Sequence, residues 1–353
     1  MRQEFTYVEA IREAQRQVLT HDPEAFIIGL GANDPKGMFG TNTGLVEEFG
    51  DSRVMDTPLS ENAITGISIG MAAMGYRPIL VHHRLDFTLT AFEQMINQAA
   101  KWFFNSGGKS NIPLLIRMVV GRGWGQGPTH GQSLQSVFAH VPGLKVVMPA
   151  TPQDAGDMIL GGVYDGNPVI YIEHRWLHGI KSDVEIPFNK YEIGKARLAR
   201  EGQDITIVAN SYSVIDSLLA ARFLKHQGVS CEVIDMRSIS PWDKSSILHS
   251  VTKTQRLLVV DTAHLSFGVS GEVITSVLQE LWGQLKSHPR RLGFPDVPVP
   301  SSPGLSKDYY PGAAEIVREV CNSLSVRISE EELRHIRGDG PFDIPPQGLV
   351  GPF

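Results

Sequence analysis

The sequence predicts an α/β protein with two doubly wound domains, because two sets of apolar strand-like runs alternate with helical patterns. Continuous apolar strands separated by helices are typical of a parallel sheet that is covered on both faces. A polar segment at about 181–202 interrupts the alternation, and 353 residues are more than a single core usually supports. We therefore expect domains over 1–190 and 191–328, followed by a C-terminal tail over 329–353.

Each element follows from its local pattern. Apolar runs predict buried strands, and apolar side chains at helical spacing predict the helices between them. In the first domain we expect strands at 25–30, 78–81, 113–119 and 169–173 and helices at 63–75, 89–104 and 152–164. In the second we expect strands at 204–209, 230–235 and 256–260 and helices at 214–227, 243–253 and 271–285.

Composition and charge exclude several classes of function. The net charge of −6 provides no basic excess for a nucleic-acid or acidic-membrane partner. Cys231 and Cys321 are far apart in the sequence, which predicts a reducing compartment and no disulfide framework. The N-terminal residues lack the apolar core of a signal peptide, and no apolar run is long enough to span a bilayer. We expect a cytoplasmic protein.

A short polar turn, Asp56–Asn62, places Glu61 at the start of the Gly/Ala-rich helix predicted at 63–75. Glycine weakens a helix by roughly 1 kcal/mol relative to alanine, and close approach of a ligand or a second backbone is the usual reason to keep it. A carboxylate at the mouth of an apolar helix is costly to desolvate unless it meets a proton or a cation. Glu61 therefore either interacts with the helix dipole or faces a ligand nitrogen, and this segment supports both readings equally.

Polar side chains follow two predicted strands. His82, His83 and Arg84 come directly after the strand at 78–81, and a glycine-rich loop at 121–132 that contains His130 follows the strand at 113–119. Ligands of doubly wound sheets bind at the carboxyl ends of strands, so both segments could line a cleft. His130 could transfer protons near neutral pH. The alternatives are a solvated charged loop and a structural histidine.

Three further segments remain open. The turn Asp165–Pro168 could simply reverse the chain, or its oxygens could join nearby carbonyls around a hard cation. Glu173–Gly179 follows another strand and could line the cleft or an interface. The tail at 329–353 could be mobile or could wrap a partner.

Taken together, the segments resemble the beta chain of the thiamine-diphosphate-dependent first component of the 2-oxo acid dehydrogenases, in the transketolase superfamily. The resemblance covers about residues 4–325. Its markers are Asp56–Glu61, Asn97–Lys101, Ser106–Gly108, His140–Val147, Asp165–Val169 and Asp235–Pro241. It implies a pyrimidine-binding domain followed by a transketolase C-terminal domain.

The resemblance also implies a division of labour between two chains. The beta chain grips the aminopyrimidine ring of thiamine diphosphate, while an alpha subunit holds the diphosphate and Mg²⁺. Gly338–Gly340 begins like the diphosphate motif, but only residues 341–353 follow it, which is too short a segment for that motif. The implied assembly is an α2β2 heterotetramer with cofactor sites at its interfaces, and the implied acceptor is a lipoyl or carrier-protein thiol.

Individual roles are carried over from the resemblance by position. Glu61 matches the glutamate that hydrogen-bonds a pyrimidine nitrogen and favours the reactive imino tautomer. Leu59 matches an apolar residue near the cofactor, Phe87 the aromatic residue that stacks on the pyrimidine, and His130 the active-site histidine. A structural potassium site is implied at Gly162, Val163, Asp165 and Asn167.

Two departures from the family pattern bear on the substrate. His82, His83 and Arg84 replace the apolar residues or glutamine that usually precede the stacking aromatic, and Gly127–His130 resembles the Gly-Pro-Thr-His of transketolases. Imidazole and guanidinium groups suit a hydroxylated or ketose-phosphate donor. We therefore expect a beta subunit that cleaves a bond next to a carbonyl, with His83 and His130 acting on the donor. The alternatives are the C-terminal subunit of a split transketolase and a non-catalytic scaffold.

Overall fold

The computed structural model describes residues 1–34, 38–340 and 342–345. The chain divides into two compact units. The first contains Met1–Gly121 and Val137–Ile193, and the second contains Arg122–Ser136 and the chain from Gly194 onward. The sequence predicted one linear boundary near residue 190 and did not predict that Arg122–Ser136 belongs to the second unit. That membership depends on long-range contacts, which local patterns do not encode.

The strands of the first unit form a six-stranded parallel sheet and a separate antiparallel ribbon. In chain order they are β1 (Arg2–Thr6), β2 (Ala25–Ile28), β3 (Val54–Met55), β4 (Arg77–His82), β5 (Leu115–Val120), β6 (Lys145–Val147), β7 (Val169–His174) and β8 (Lys181–Glu185). The sheet has the order β6-β7-β5-β4-β2-β3. β1 and β8 pair in the ribbon. Every residue of β5 and β7 is buried, as expected for central parallel strands.

Helices precede and follow these strands along the chain. They are α1 (Tyr7–His21), α2 (Leu45–Phe49), α3 (Glu61–Ala73), α4 (Ala100–Asn105), α5 (Gln135–Ala139) and α6 (Pro152–Val163). A capping box between Thr6 and Glu9 starts α1, and Thr151 caps α6.

The prediction of one continuous helix at 89–104 is wrong in part. The structure has a 3₁₀-helix at Leu85–Ala91, a π-helix at Glu93–Ala99 and only then α4. Bonds of the 3₁₀ and π type change the 3.6-residue period on which the prediction relied.

The second unit contains a five-stranded sheet. The sheet contains β9 (Arg197–Arg200), β10 (Ile205–Ala209), β11 (Cys231–Asp235), β13 (Leu257–His264) and β14 (Arg290–Phe294), and the short strand β12 (Ser238–Ser240) lies outside it. The sheet order is β14-β13-β10-β11-β9, with β9 antiparallel to its neighbour. The helices are α7 (Tyr212–His226), α8 (Lys244–Thr254), α9 (Val269–Leu281), α10 (Pro303–Ser306), α11 (Ala313–Leu324) and α12 (Glu330–Arg337).

The segment predicted as a tail begins as a packed helix. Ser329 and Glu332 form a capping box at the start of α12, and Leu333 is buried. The last part of the predicted tail, 346–353, lies outside the described residues. Across the described ranges, no helix is long and apolar enough to cross a membrane.

Candidate active site

A pocket lies in the first unit where β2 and β4 end and α3 begins. Its cavity volume is about 20 Å³, within about 320 Å³ of space between atoms that includes open solvent. The lining residues are Gly29, Leu30, Thr57, Pro58, Leu59, Ser60, Glu61, Ile64, Leu80, Val81, His82 and His83. The carboxyl edge of a parallel sheet is the usual place for a ligand in this architecture. The structure thus brings together four of the residues singled out by the sequence, namely Leu59, Glu61, His82 and His83.

Two contacts shape the floor and the rim of this pocket. β2 and β4 are parallel neighbours, and a Cβ added to Gly29 would lie 2.4 Å from the Val81 carbonyl oxygen. Only glycine allows the chain to leave β2 at this point. On the rim, one carboxylate oxygen of Asp56 accepts bonds from the N–H groups of Gly31 (2.6 Å) and Thr57 (2.8 Å). Asp56 therefore fixes the turn that leads to Glu61.

Glu61 is the first residue of α3 and is partly exposed to the pocket. A carboxylate in the first turn interacts favourably with the helix dipole. The first interpretation from the sequence, interaction with the dipole, therefore applies whether or not a ligand is bound. Its place in the pocket lining also makes it accessible to a ligand, which is the other reading. Leu59 is 73% exposed in the same lining and offers an apolar surface to a ligand or a partner.

The paired histidines at the end of β4 have different surroundings. His82 is buried, and its Nε2 lies 3.2 Å from the Thr65 hydroxyl on α3. Burial lowers the pKa of His82 to about 4. The pKa of His83 falls to about 3, chiefly through burial and then through the charge of Arg117. Both imidazoles are therefore neutral at pH 7.

Neither ring nitrogen of His83 has a hydrogen-bond partner within the described part of the chain, and both are buried. A buried polar atom without a partner costs about 1–3 kcal/mol, so native proteins rarely keep two in one side chain without a reason. A neutral imidazole has one donor and one acceptor. A bound group that carries both, such as a hydroxyl, fits His83.

Arg84 and Phe87 do not line this pocket. Arg84 is buried, and its pKa is lowered by burial and then by the charge of Arg175. Phe87 is half-buried in the 3₁₀-helix Leu85–Ala91, where its N–H donates to the Arg84 carbonyl at 3.2 Å. Their predicted contacts with substrate and cofactor stay predictions.

Three further residues surround His83. Phe39 was not assigned from the sequence, whereas Arg175 and His178 belong to Glu173–Gly179, the segment expected to line the cleft or an interface. The Phe39 ring contacts the rings of His83 and His178 edge-on, with centroid distances of 5.5 and 5.9 Å. The Arg175 guanidinium lies 4.0 Å from the centroid of the Phe39 ring. Burial lowers the pKa of His178 to about 3. Arg175 and His178 follow β7, so their position at a strand end was a usable signal. Phe39 carried none.

A buried ion pair lies beneath this group of rings. Arg117 on β5 donates to both carboxylate oxygens of Glu173 on β7 at 3.0 Å each, and both side chains are fully buried. The Arg117 guanidinium also donates to the Gln15 amide oxygen at 2.6 Å. His178 lies 4.0 Å from Glu173. The Arg117 charge, which adds to the effect of burial in lowering the pKa of His83 and His178, is therefore held in place by the core.

His130 belongs to the second unit and lies in the loop Arg122–Ser136. It follows the 3₁₀-turn Gly127–Thr129, and its N–H donates to the Gly127 carbonyl at 3.4 Å. The Thr129 hydroxyl lies 3.0 Å from its Nδ1. That contact helps to orient the imidazole ring.

The segment predicted to bind potassium is a turn stabilised by an ion pair. Gly162 and Val163 end α6, and Lys145 donates to both carboxylate oxygens of Asp165, at 2.9 and 2.6 Å. An ammonium group thus takes the place of a cation at that carboxylate. Potassium would fit here only through backbone carbonyls or Asn167. Within residues 1–34, 38–340 and 342–345, no three His, Cys, Asp or Glu side chains are grouped to hold a metal.

Comparison with known families covers most of the chain. The family described as "Transketolase, pyrimidine binding domain" matches residues 3–179, and "Transketolase, C-terminal domain" matches residues 194–316. Both matches agree with the fold predicted from the sequence.

Two relatives align with the chain along nearly their full length. The chain is 40% identical over 319 residues to the acetoin:2,6-dichlorophenolindophenol oxidoreductase subunit beta of Cupriavidus necator, covering 87% of this chain and 94% of that one. It is 34% identical over 317 residues to the pyruvate dehydrogenase E1 component subunit beta of Rickettsia felis, covering 90% and 97%.

A solved structure described as a split gene transketolase, inactive beta4 tetramer, has the same fold. It superposes with a TM-score of 0.73 at 20% identity, covering 92% of this chain and 99% of that chain.

Proposed function

The chain belongs to the transketolase-like family of dehydrogenase beta subunits, and from that premise we propose that it is the beta subunit of a two-chain, thiamine-diphosphate-dependent enzyme of the 2-oxo acid dehydrogenase type. The proposed reaction cleaves a bond next to a carbonyl and transfers the two-carbon acyl unit to a lipoyl or carrier-protein thiol. One observation carries the proposal: Glu61 and Leu59 line a single pocket with His82 and His83 at the carboxyl edge of a parallel sheet.

The residues present fit the aminopyrimidine half of the cofactor. Glu61 would meet a pyrimidine nitrogen, Leu59 would supply apolar contact, and Phe87 is proposed to stack on the ring. The fit is supported by two unpartnered buried nitrogens of His83 in the same lining, which a bound group would satisfy. When bound, thiamine diphosphate supplies the electron-accepting chemistry for cleavage beside a carbonyl.

Proton handling is assigned to Glu61 and His130. Glu61 would share a proton with the ligand nitrogen at the first turn of α3. His130 would hold or release a proton on its imidazole, whose ring the Thr129 hydroxyl helps to orient. His83 is neutral at pH 7, so it would act on the donor as a hydrogen-bond donor and acceptor.

A second chain is required by this proposal. An alpha subunit would hold the diphosphate and Mg²⁺, as implied by the family, and the assembly would be α2β2. Two buried free thiols, Cys231 and Cys321, support a reducing compartment such as the cytoplasm.

Potassium at 162–167 remains a proposal that relies on backbone carbonyls and Asn167. If potassium binds there, replacing it with choline in the buffer lowers the Tm; an unchanged Tm removes the ion from the proposal.

A hydroxylated or phosphorylated donor is proposed over pyruvate. His83 offers both hydrogen-bonding roles in the pocket, and Arg84 and Arg175 supply positive charge near it. A second candidate function is a split transketolase that passes a ketol to an aldose. It is favoured by the same positively charged surroundings of His83 and by Gly127–His130, which resembles the Gly-Pro-Thr-His motif of transketolases. Free-sugar products without any need for a lipoyl acceptor would favour that second candidate.

The test uses the complex of this chain with its alpha subunit. Glu61→Gln keeps the size of the side chain but removes the shared proton, and we expect turnover to fall at least about a hundredfold. Glu47→Gln is the matched control, because Glu47 is an exposed carboxylate in the first turn of α2. Full turnover in Glu61→Gln, or no dependence on thiamine diphosphate in the wild-type complex, would contradict the proposal.

A further inference from the structure

The glycine-rich loop Arg122–Ser136, here called the His130 loop, is attached to the second unit at its start, in its middle and at its end. The chain leaves β5 at Val120 and enters the second unit two residues later. A loop that carries a proton-transfer group needs such attachment, because small displacements of a reacting group cost much of its effect.

Arg122 holds the start of the His130 loop. Its guanidinium lies 4.6 Å from the centroid of the Tyr310 ring and 5.2 Å from that of Tyr212. Contacts of this kind between a guanidinium and two aromatic faces restrict the cation strongly. The same charge acts on Asp216, which is buried on α7.

Gln135 holds the end of the His130 loop. It is fully buried, and its amide nitrogen donates to Asp261 Oδ1 at 2.8 Å and to Thr262 Oγ1 at 3.3 Å. Asp261 and Thr262 lie in β13, and Asn210, just after β10, also donates to Asp261 Oδ1 at 2.9 Å. The end of the loop is therefore bonded to the sheet of the second unit.

Two glycines bring the middle of the His130 loop against neighbouring segments. A Cβ on Gly123 would lie 1.4 Å from the Asp343 carbonyl oxygen, and the Trp124 N–H donates to that same oxygen at 3.0 Å. A Cβ on Gly127 would lie 2.1 Å from the Ser301 hydroxyl. Both glycines have positive φ, +86° and +64°, which disfavours a side chain at either position. At Gly123 the Asp343 backbone also excludes a side chain by space, whereas at Gly127 the Ser301 hydroxyl could rotate away.

We propose that Arg122 and Gln135 are positioning residues for His130 and that the segment Phe342–Pro345, through the Asp343 carbonyl, holds the loop between them. This proposal rests on the proposed function, since it assumes that His130 acts on the substrate. It gives Arg122, Gln135 and the segment Phe342–Pro345 a part in the chemistry, although none of them contributes a group that reacts.

The first experiment is a double-mutant cycle in the alpha–beta complex. We expect Arg122→Met and Gln135→Leu each to lower kcat about tenfold or more, with KM within about twofold and with a displaced pH profile of kcat. In a His130→Ala background the same substitutions should have no further effect, because they act through that ring. Arg122→Lys, which keeps the charge, should recover part of the loss. Equal losses with and without His130 would overturn the proposal.

The second experiment tests the C-terminal contact. Ending the chain after Gly340 removes Asp343, and we expect it to lower kcat about as much as Gly123→Ala, with the two changes together no worse than either alone. Ending the chain after Pro345 is the control and should leave kcat unchanged. Gly228→Ala is the control for backbone strain, since Gly228 has φ +77° and no atom within 4 Å of the added Cβ.

The two proposals fail in different ways. If the wild-type complex turns over with thiamine diphosphate but the Gly340 truncation and Gly123→Ala keep full kcat, the positioning role is wrong and the proposed function stands. If the wild-type complex has no such turnover, the proposed function fails first.

Discussion

The imidazole of His83 meets the ring of Phe39 edge-on, with centroids 5.5 Å apart, although the two residues come from different loops at the end of one sheet. Phe39 in turn contacts His178 and lies under Arg175. A neutral imidazole with unpartnered nitrogens thus has an apolar ring on one side and positive charges beyond it. This arrangement suits a hydroxyl at the His83 nitrogens, and the positive charges beyond it would attract an anionic group of the same donor.

Replacing His83 should change selectivity for the donor. We expect His83→Ala to lower kcat/KM for a hydroxylated donor about tenfold more than for pyruvate, because one hydrogen-bonded contact is lost. The measurement is kcat/KM for both donors in the alpha–beta complex. His226→Ala, at an exposed position, is the control. Equal losses on both donors would remove His83 from donor recognition.

Stability should fall in mild acid because of three histidines whose pKa is lowered in the folded chain. Burial holds the folded-state pKa of His82 near 4 and those of His83 and His178 near 3, below the ordinary value of 6.5. As the pH falls, the unfolded chain therefore binds protons at these histidines before the folded chain does. The contribution of the three histidines to stability is fully present above about pH 6.5 and is lost as the pH falls towards 4.

Each of these histidines adds up to about 1.4 kcal/mol per pH unit to the slope of the unfolding free energy against pH. Asp216 acts in the opposite direction, because burial raises its pKa to about 7. The test therefore compares wild type with His178→Asn by denaturant unfolding from pH 7 to pH 5. The variant should lose less stability over that range, and identical slopes would show that His178 is protonated in the folded state.

The floor of the pocket should not tolerate a side chain at residue 29. We expect Gly29→Ala to cost about 2–3 kcal/mol of unfolding free energy, because the added Cβ would lie 2.4 Å from the Val81 carbonyl oxygen. Gly70→Ala in α3 is the matched control, since its Cβ meets nothing within 4 Å. It should be neutral or stabilising by up to about 1 kcal/mol. Thermal unfolding of the isolated chain provides the comparison.

The buried ion pair below the histidines should be far more sensitive than a surface pair. Glu173→Gln leaves the Arg117 guanidinium in the core without its counter-charge, which costs about 3–5 kcal/mol. Glu185→Gln breaks the surface pair with Arg2. The Glu185 side chain is 62% exposed and that of Arg2 is 75% exposed, so solvent screens the pair and the loss should be much smaller. Similar losses for the two variants would mean that Arg117 finds another partner.

Local patterns predicted much of the fold and part of the site. The strands at 78–81 and 169–173 form as β4 and β7, because continuous apolar runs can only be buried in the middle of a covered sheet. Glu61, Leu59 and the two histidines are close in the structure because they occupy the ends of neighbouring elements, and the chemistry of strand ends can be read locally.

The sequence by itself determined the two alternations of strands and helices, the turn that leads to Glu61 and the histidines after β4, since each depends on residues adjacent along the chain. Only the tertiary structure decided that Phe39 and His178 surround His83, that the His130 loop belongs to the second unit, and that α12 packs there through Leu333. Those relationships arise from packing between residues far apart in the chain, for which neither hydrophobic period nor turn chemistry carries a signal.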